Sequence, residues 1–146
     1  MFCNRGVSGI DGCTSTAIGG AQASGRATLL ITGDMSFHYD IGALALPGVP
    51  ASMRIVAIDN EGGAIFRYAR STKGLNEREQ LFCQPAGILP SITRIGELYG
   101  WQTAEAGSLE QLHELISGGW LNQKNSRPQL LTIKIRNEKE VKNLFL

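Results

Sequence analysis

Two short apolar runs, Ala27–Thr32 and Met53–Asp59, constrain the fold of this chain more than any other feature. Each ends in a polar turn containing glycine: Gly33-Asp34-Met35-Ser36 after the first, Asp59-Asn60-Glu61-Gly62-Gly63 after the second. Runs this apolar read as strands buried on both faces, the habit of parallel sheets. Helical patterns alternate with strands through the rest of the chain. The expected class is therefore α/β, a doubly wound parallel sheet flanked by helices.

Adjacent parallel strands bring the two turns together at their carboxyl ends, where open α/β sheets bind ligands. Asp34 offers a carboxylate there, Asn60 an amide oxygen, and Gly62 a backbone carbonyl, with Gly63 as an alternative source. Hard oxygen donors of this kind suit Mg²⁺, which keeps waters and takes further ligands from phosphates. Free N–H groups at Gly33, Ser36 and the Gly62-Gly63 turn are expected to hold those phosphates. The pattern reads as a magnesium–diphosphate site.

Around this centre, Phe2-Cys3 reads as the stub of a first strand and Arg5–Gly12 as the turn after it. Gly6, Gly9 and Gly12 are not spaced as in the G-x-G-x-x-G of dinucleotide folds. Cys13–Ser24, rich in small residues, reads as a helix ended by Gly25, although Gly19-Gly20 weakens its propensity. A second helix is expected from Asp34 or Ser36 to Leu46, closed by Pro47. Tyr68–Gly87 is charged and aperiodic and reads as a lid or active-site loop. Ser91 is placed to cap a helix through Tyr99 with Ile92, Ile95 and Leu98 on one face. Trp101–Ala104 follows as a short strand. Ser108 and Gln111 resemble a capping box for a helix with a Leu109, Leu112, Leu115, Ile116 stripe. Gln129–Ile135 reads as the last strand, and the final ten residues as a charged docking tail with an apolar end.

At 146 residues the chain is one domain's worth, long enough to bury roughly 70% of its unfolded surface. Fourteen basic and thirteen acidic residues give a net charge of +1, so no global field favours nucleic acid. No apolar run is long enough to span a bilayer, and MFCNRG lacks a signal-peptide pattern. Cys3, Cys13 and Cys83 have neither disulfide nor zinc spacing and read as reduced, packed cysteines of a cytoplasmic protein.

Gly33-Asp34, about 24 residues, then Asn60 resembles the cofactor motif of thiamin-diphosphate enzymes. Two further stretches, Asn4-Arg5-Gly6-Val7-Ser8-Gly9-Ile10-Asp11-Gly12 and Asn60-Glu61-Gly62-Gly63-Ala64-Ile65-Phe66, narrow the likeness. Together they resemble the C-terminal domain of the menaquinone-pathway synthases that make succinyl-enolpyruvyl-hydroxycyclohexene carboxylate (SEPHCHC synthases). The resemblance covers nearly the whole chain and is strongest from Asn4 to Phe66. It implies a fragment, residues 1–146 being a single C-terminal domain that lacks two preceding domains. It also implies thiamin diphosphate with Mg²⁺ or Mn²⁺ as cofactors, 2-oxoglutarate and isochorismate as substrates, and a second subunit of a homo-oligomer as partner. The glutamate that activates the cofactor lies in the family's N-terminal domain, so this chain alone is expected to be catalytically silent and to self-associate.

Residue by residue, the resemblance assigns Asp34, Asn60 and Gly62 to the metal. Gly33, Met35, Ser36, Gly63, Ala64 and Ile65 join those three around the cofactor. Arg5 would meet a substrate carboxylate, Ile10 would wedge the cofactor into its bent form, and Ile65 and Phe66 would wall the substrate pocket. Plainer readings stand beside these. Asp34 is also a helix cap, Asn60 a turn residue tolerating the left-handed conformation, Gly62 a turn glycine and Ser36 a helix start. Arg5 is also readable as a surface ion-pair partner, Ile10, Ile65 and Phe66 as core residues, and Asp11 as a brace for the glycine turn. Met35 fits the synthase subgroup, whereas Asp59 and Glu61 depart from its asparagines and either strengthen cation binding or repel diphosphate. His38 and His113 have no partner at catalytic spacing. Two other functions are compatible: a different thiamin-diphosphate decarboxylase or synthase, and a non-catalytic assembly module with the same fold.

Overall fold

The computed structural model describes residues 2–3, 9–63, 65–68, 72, 74–76, 79 and 89–135. Arg5 with its neighbours 4–8, Ala64, Cys83, most of the Tyr68–Gly87 loop and the tail 136–146 lie outside the described residues.

Helix α1 spans Cys13–Ser24 and buries Thr14, Ile18 and Ala21, spaced four and three apart. Gly19 and Gly20 fall on its exposed side, so they lower helix propensity without leaving a void. Gly25 closes it in the left-handed region (φ 62°), its N–H bonded to the Ala21 carbonyl at 3.0 Å. Strands β1 (Thr28–Gly33), β2 (Met53–Asp59), β3 (Gln102–Ala106) and β4 (Gln129–Lys134) form one sheet. Their order is β1-β2-β4-β3, and every neighbouring pair is parallel. The register sets Gly33 beside Ile58 and Asp59 beside Lys134, so the carboxyl ends of β1, β2 and β4 are level.

Helices cover both faces. On one, Ile18, Ala21, Phe37, Leu44, Ile92 and Ile95 pack on Met53, Ile55, Ala57 and Leu130. On the other, Val56, Ala106, Leu131 and Trp120 cluster with half-buried Leu112 and Leu115. The doubly wound parallel class expected from the alternating pattern is the observed one. Among the described residues no helix is long and apolar enough to cross a membrane.

Several local expectations are corrected. The helix expected to reach Leu46 ends at Tyr39 as α2 (Asp34–Tyr39), because Asp40 leaves helical geometry (φ −133°, ψ 27°) and a 3-10 turn, Ile41–Ala45, follows. Among the described residues β1 is an edge strand, and Leu29 and Ile31 on its second face are exposed rather than buried. Phe2, read as part of the stub of a first strand, lies in no strand and is fully exposed. Short helix α3, Ile65–Tyr68, precedes the segment read as a loop and ends on its first residue.

Helix α4, Ile92–Leu98, starts as expected with the Ser91 hydroxyl accepting the Arg94 N–H, but Leu98 is 82% exposed and Gly96 is buried in its stead. The reason is a close approach to the sheet. A Cβ on Gly96 would lie 2.6 Å from Leu130 Cδ2 and 2.8 Å from Thr103 Cγ2. Leu130 is fully buried and has nowhere to retreat. Gly96→Ala is therefore expected to destabilise the fold by ~1–3 kcal/mol, measured as a lower urea midpoint at unchanged slope.

Helix α5, Leu109–Ser117, is capped by Ser108, which accepts from the Gln111 N–H. The Gln111 side chain accepts from Gly107 rather than from Ser108, so the box closes one residue early. Only Leu112 and Leu115 of its apolar stripe reach the core. Leu109 is exposed and Ile116 largely so, because α5 meets the sheet only at its β3–β4 side. Arg54, inside an otherwise apolar strand, is buried.

Candidate functional site

Where β1 becomes α2 the chain delivers Asp34, a carboxylate only 3% exposed. A buried carboxylate must find donors, and this one takes four backbone N–H groups. Oδ2 accepts from Gly62 at 2.7 Å and Asn60 at 3.0 Å. Oδ1 accepts from Met35 at 2.6 Å and, at the long limit of 3.5 Å, from Gly63. The facing turn is shaped for this. Glu61, Gly62 and Gly63 all have positive φ (65°, 97° and 61°), which turns the N–H groups of Asn60, Gly62 and Gly63 towards Asp34 as an anion-binding nest, while the Glu61 N–H goes to Asp59 Oδ1 at 3.2 Å. The nest holds an anion from the protein itself.

That geometry corrects two expectations. The N–H groups of Gly62 and Gly63 are engaged by Asp34 and are not free for a phosphate. The left-handed conformation allowed for Asn60 falls instead on Glu61. Gly63, the alternative carbonyl donor, accepts from the Phe66 N–H at 3.0 Å, which starts α3.

The donors present fit a hard divalent cation. A carboxylate carries about four lone-pair positions, and those of Oδ2 hold two short bonds, whereas the long Gly63 contact leaves capacity on Oδ1. Asn60 and the Gly62 carbonyl belong to the turn bonded to that carboxylate. Among the described residues no group of three or more His, Cys, Asp or Glu side chains is placed to hold a metal. A cation here must draw on amide, main-chain, water and ligand oxygens as well, the mixed set Mg²⁺ accepts.

Beside Asp34 opens a cleft of about 210 Å³, lined by Asp59, Glu61 and Gly62 from the turn, His38 from α2, Lys134 from β4 and residues 89–92. Both departures from the asparagine pattern, Asp59 and Glu61, thus face the same space as Asp34. Burial pulls the His38 pKa below its ordinary 6.5, partly opposed by the carboxylates of Asp34 and Asp59. Lys134 brings a positive charge, paired at 2.6 Å with Glu105. Sequence reasoning assigned His38 no role and did not single out Lys134. Only the register, which sets Lys134 beside Asp59, reveals it.

Ser36 is buried, and its hydroxyl donates to the Ile10 carbonyl at 2.7 Å. Its proton is committed to that carbonyl, so only its lone pairs are left for other partners. Ile10, Ile65 and Phe66 are exposed at 42%, 68% and 37%, against the core reading of each.

A parallel α/β sheet of this architecture also occurs in known proteins. The fold matches that of a thiamine diphosphate-dependent 4-hydroxybenzoylformate decarboxylase from Rhodococcus jostii RHA1, with TM-score 0.63 and 19% identity over 84% of this chain and 22% of that one. It matches benzoylformate decarboxylase from Polynucleobacter necessarius with TM-score 0.59 and 18% identity, over the same shares. The fold is therefore one found in thiamin-diphosphate-dependent enzymes.

Sequence relatives narrow the class. A Porphyromonas gingivalis protein named 2-succinyl-5-enolpyruvyl-6-hydroxy-3-cyclohexene-1-carboxylate synthase is 40% identical over 115 residues, 79% of this chain and 20% of that protein. A Christiangramia forsetii protein of the same name is 35% identical over 91% of this chain and 22% of its own length. One from Flavobacterium psychrophilum reaches 60% identity over 67 residues, 46% of this chain and 12% of its own. No family model matches the chain. Over most of its length the chain is thus similar to SEPHCHC synthases, and it spans about a fifth of the length of the curated relatives first matched.

Proposed function

We propose that the chain is the diphosphate- and metal-binding domain of a SEPHCHC synthase, a single C-terminal domain over residues 1–146 of a longer cytoplasmic enzyme of menaquinone biosynthesis. The observation that carries this reading is the Asp34 carboxylate, buried and bound to the N–H groups of Asn60 and Gly62. Asp34, Asn60 and the Gly62 carbonyl hold Mg²⁺ or Mn²⁺. Gly33, Met35, Ser36, Gly63, Ala64 and Ile65 surround the diphosphate and the adjoining part of the cofactor. Ile10 supports the bent cofactor, and Arg5 binds a substrate carboxylate, for which a bidentate guanidinium is suited. Ile65 and Phe66 line the substrate pocket, and their exposure supports a role in contact with something other than this domain's core.

Thiamin diphosphate, when bound, supplies the electron sink for decarboxylating 2-oxoglutarate and the nucleophilic carbon that joins the remaining four-carbon unit to isochorismate. The protein's part is orientation and charge. Asp34 would hold the cation that offsets diphosphate charge, and Lys134 and His38 share the cleft with the extra carboxylates of Asp59 and Glu61. The partner is a second subunit whose N-terminal domain completes the site. The exposed apolar residues Leu29, Ile31, Leu98 and Leu109 support burial against such a partner.

The test is carboligation by the chain supplied with the remaining four fifths of a family member. Carbon dioxide release dependent on both 2-oxoglutarate and isochorismate is expected, with no turnover by the chain alone. Turnover only with other acceptors would assign a different thiamin-diphosphate enzyme. Tight subunit association without metal-dependent diphosphate binding would assign an assembly module.

A further inference from the structure

Helix α1 begins without a cap of its own. Gly12 occupies the N-cap position at φ 71° and supplies no side-chain acceptor. The acceptor comes from 25 residues away: Asp40 Oδ2 takes the Ser15 N–H at 2.7 Å and the Ser15 hydroxyl at 2.9 Å. Ser15 is the third residue of α1, where a cap side chain normally bonds. The Asp40 charge also lies at the positive end of this twelve-residue helix.

Four residues before Asp40, the Ser36 hydroxyl bonds the Ile10 carbonyl. The Ile10–Ser15 stretch is therefore pinned at both ends to the segment Asp34–Asp40. That same segment, through Asp34, holds the Asn60–Gly63 turn. One hydrogen bond at Ile10 alone leaves that residue free to pivot. A second anchor at the start of α1 removes the freedom.

We propose that Asp40 is a positioning residue: by capping α1 from a distant position it fixes Ile10 relative to Asp34, so that apolar support and metal carboxylate keep one spacing. The importance of that spacing rests on the functional reading above; the mechanical link does not. Asp40 itself lies outside the cleft lining.

The experiment uses the whole chain and three measurements: ¹³C-methyl relaxation of Ile10, the thermal midpoint, and titration with Mg²⁺ and inorganic pyrophosphate. Asp40→Ala is expected to lower the midpoint by a few degrees, as cap loss does, and to raise Ile10 methyl mobility with pyrophosphate binding unchanged. Asp40→Asn, which retains an acceptor for the Ser15 N–H, restores Ile10 order. Ser15→Ala, which removes one of the two bonds, gives a smaller change in the same direction and serves even where Asp40→Ala does not fold. Ile18→Val, a loss in the α1 core, lowers the midpoint with Ile10 unmoved.

Unchanged Ile10 mobility in both Asp40→Ala and Ser15→Ala overturns the proposal and leaves Asp40 a helix cap only. Equal mobilisation by Ile18→Val overturns it as well, by making the effect general loosening. Failure of the wild-type chain to bind Mg²⁺-pyrophosphate counts against the functional reading, and the Ile10 measurement still decides this one.

Discussion

Asp34→Ala is expected to abolish Mg²⁺-dependent binding of thiamin diphosphate and to destabilise the fold by about 3 kcal/mol or more. The two effects have one cause. Removing the carboxylate deletes the hard donor and orphans the N–H groups of Asn60, Gly62 and Gly63, two of which belong to buried residues. Each unsatisfied buried donor costs ~1–3 kcal/mol, and the positive-φ turn leaves the Gly62 and Gly63 N–H groups aimed at the vacated position. Asp34→Asn does not rescue, since its amide nitrogen would point a donor at donors. Calorimetric titration reads the first effect and urea denaturation the second. A stable variant that still bound the cofactor would contradict the site described here.

The second large effect lies away from the cleft. Arg54, 6% exposed, donates to the carbonyls of Ala51 at 2.7 Å, Met53 at 3.1 Å, Gln123 at 2.7 Å and, more weakly, Trp120 at 3.4 Å. It ties the chain leaving α5 to the start of β2. Burial lowers its pKa, yet a guanidinium stays charged in proteins. Among the described residues its partners are carbonyl dipoles alone. Hydrogen bonds to a charged group are worth ~1.5–3 kcal/mol each, and carbonyls left without a donor add their own penalty. Arg54→Met is expected to lose about 3–5 kcal/mol, a thermal midpoint lower by about 10 °C or more. Arg54→Lys recovers part of this, because one ammonium cannot span both segments as the planar fork does. Metal-dependent diphosphate binding persists in the folded fraction, since Arg54 touches none of residues 34–36 or 60–63.

Much of the architecture was legible because it follows from continuous apolar runs and glycine punctuation. The Met53–Asp59 strand and the Cys13–Ser24 helix have the expected bounds. The turns after the two apolar runs meet because parallel neighbours share a carboxyl edge. Less legible was anything decided by which stripe of a helix packs. Ile92, Ile95 and Leu98 share a helical face, but the close approach at Gly96 selects the Gly96 side and leaves Leu98 outside.

Charged residues within apolar stretches were the other blind spot. Arg54 in β2, Lys134 at the end of β4 and Asp40 after α2 each take their role from partners distant in sequence, or from register. In the site itself, the spacing of Gly33-Asp34 and Asn60 pointed to residues the structure brings together. The direction of the turn's N–H groups did not follow from that spacing. It depends on three successive positive φ angles, one of them on Glu61, a residue type that rarely adopts them.

The most direct measurement is calorimetric titration of the chain with thiamin diphosphate, with and without Mg²⁺. Saturable binding that appears only with the metal is the expected result. Binding indifferent to Mg²⁺, or no binding with it, would contradict the claim that these residues form a metal–diphosphate site within this domain.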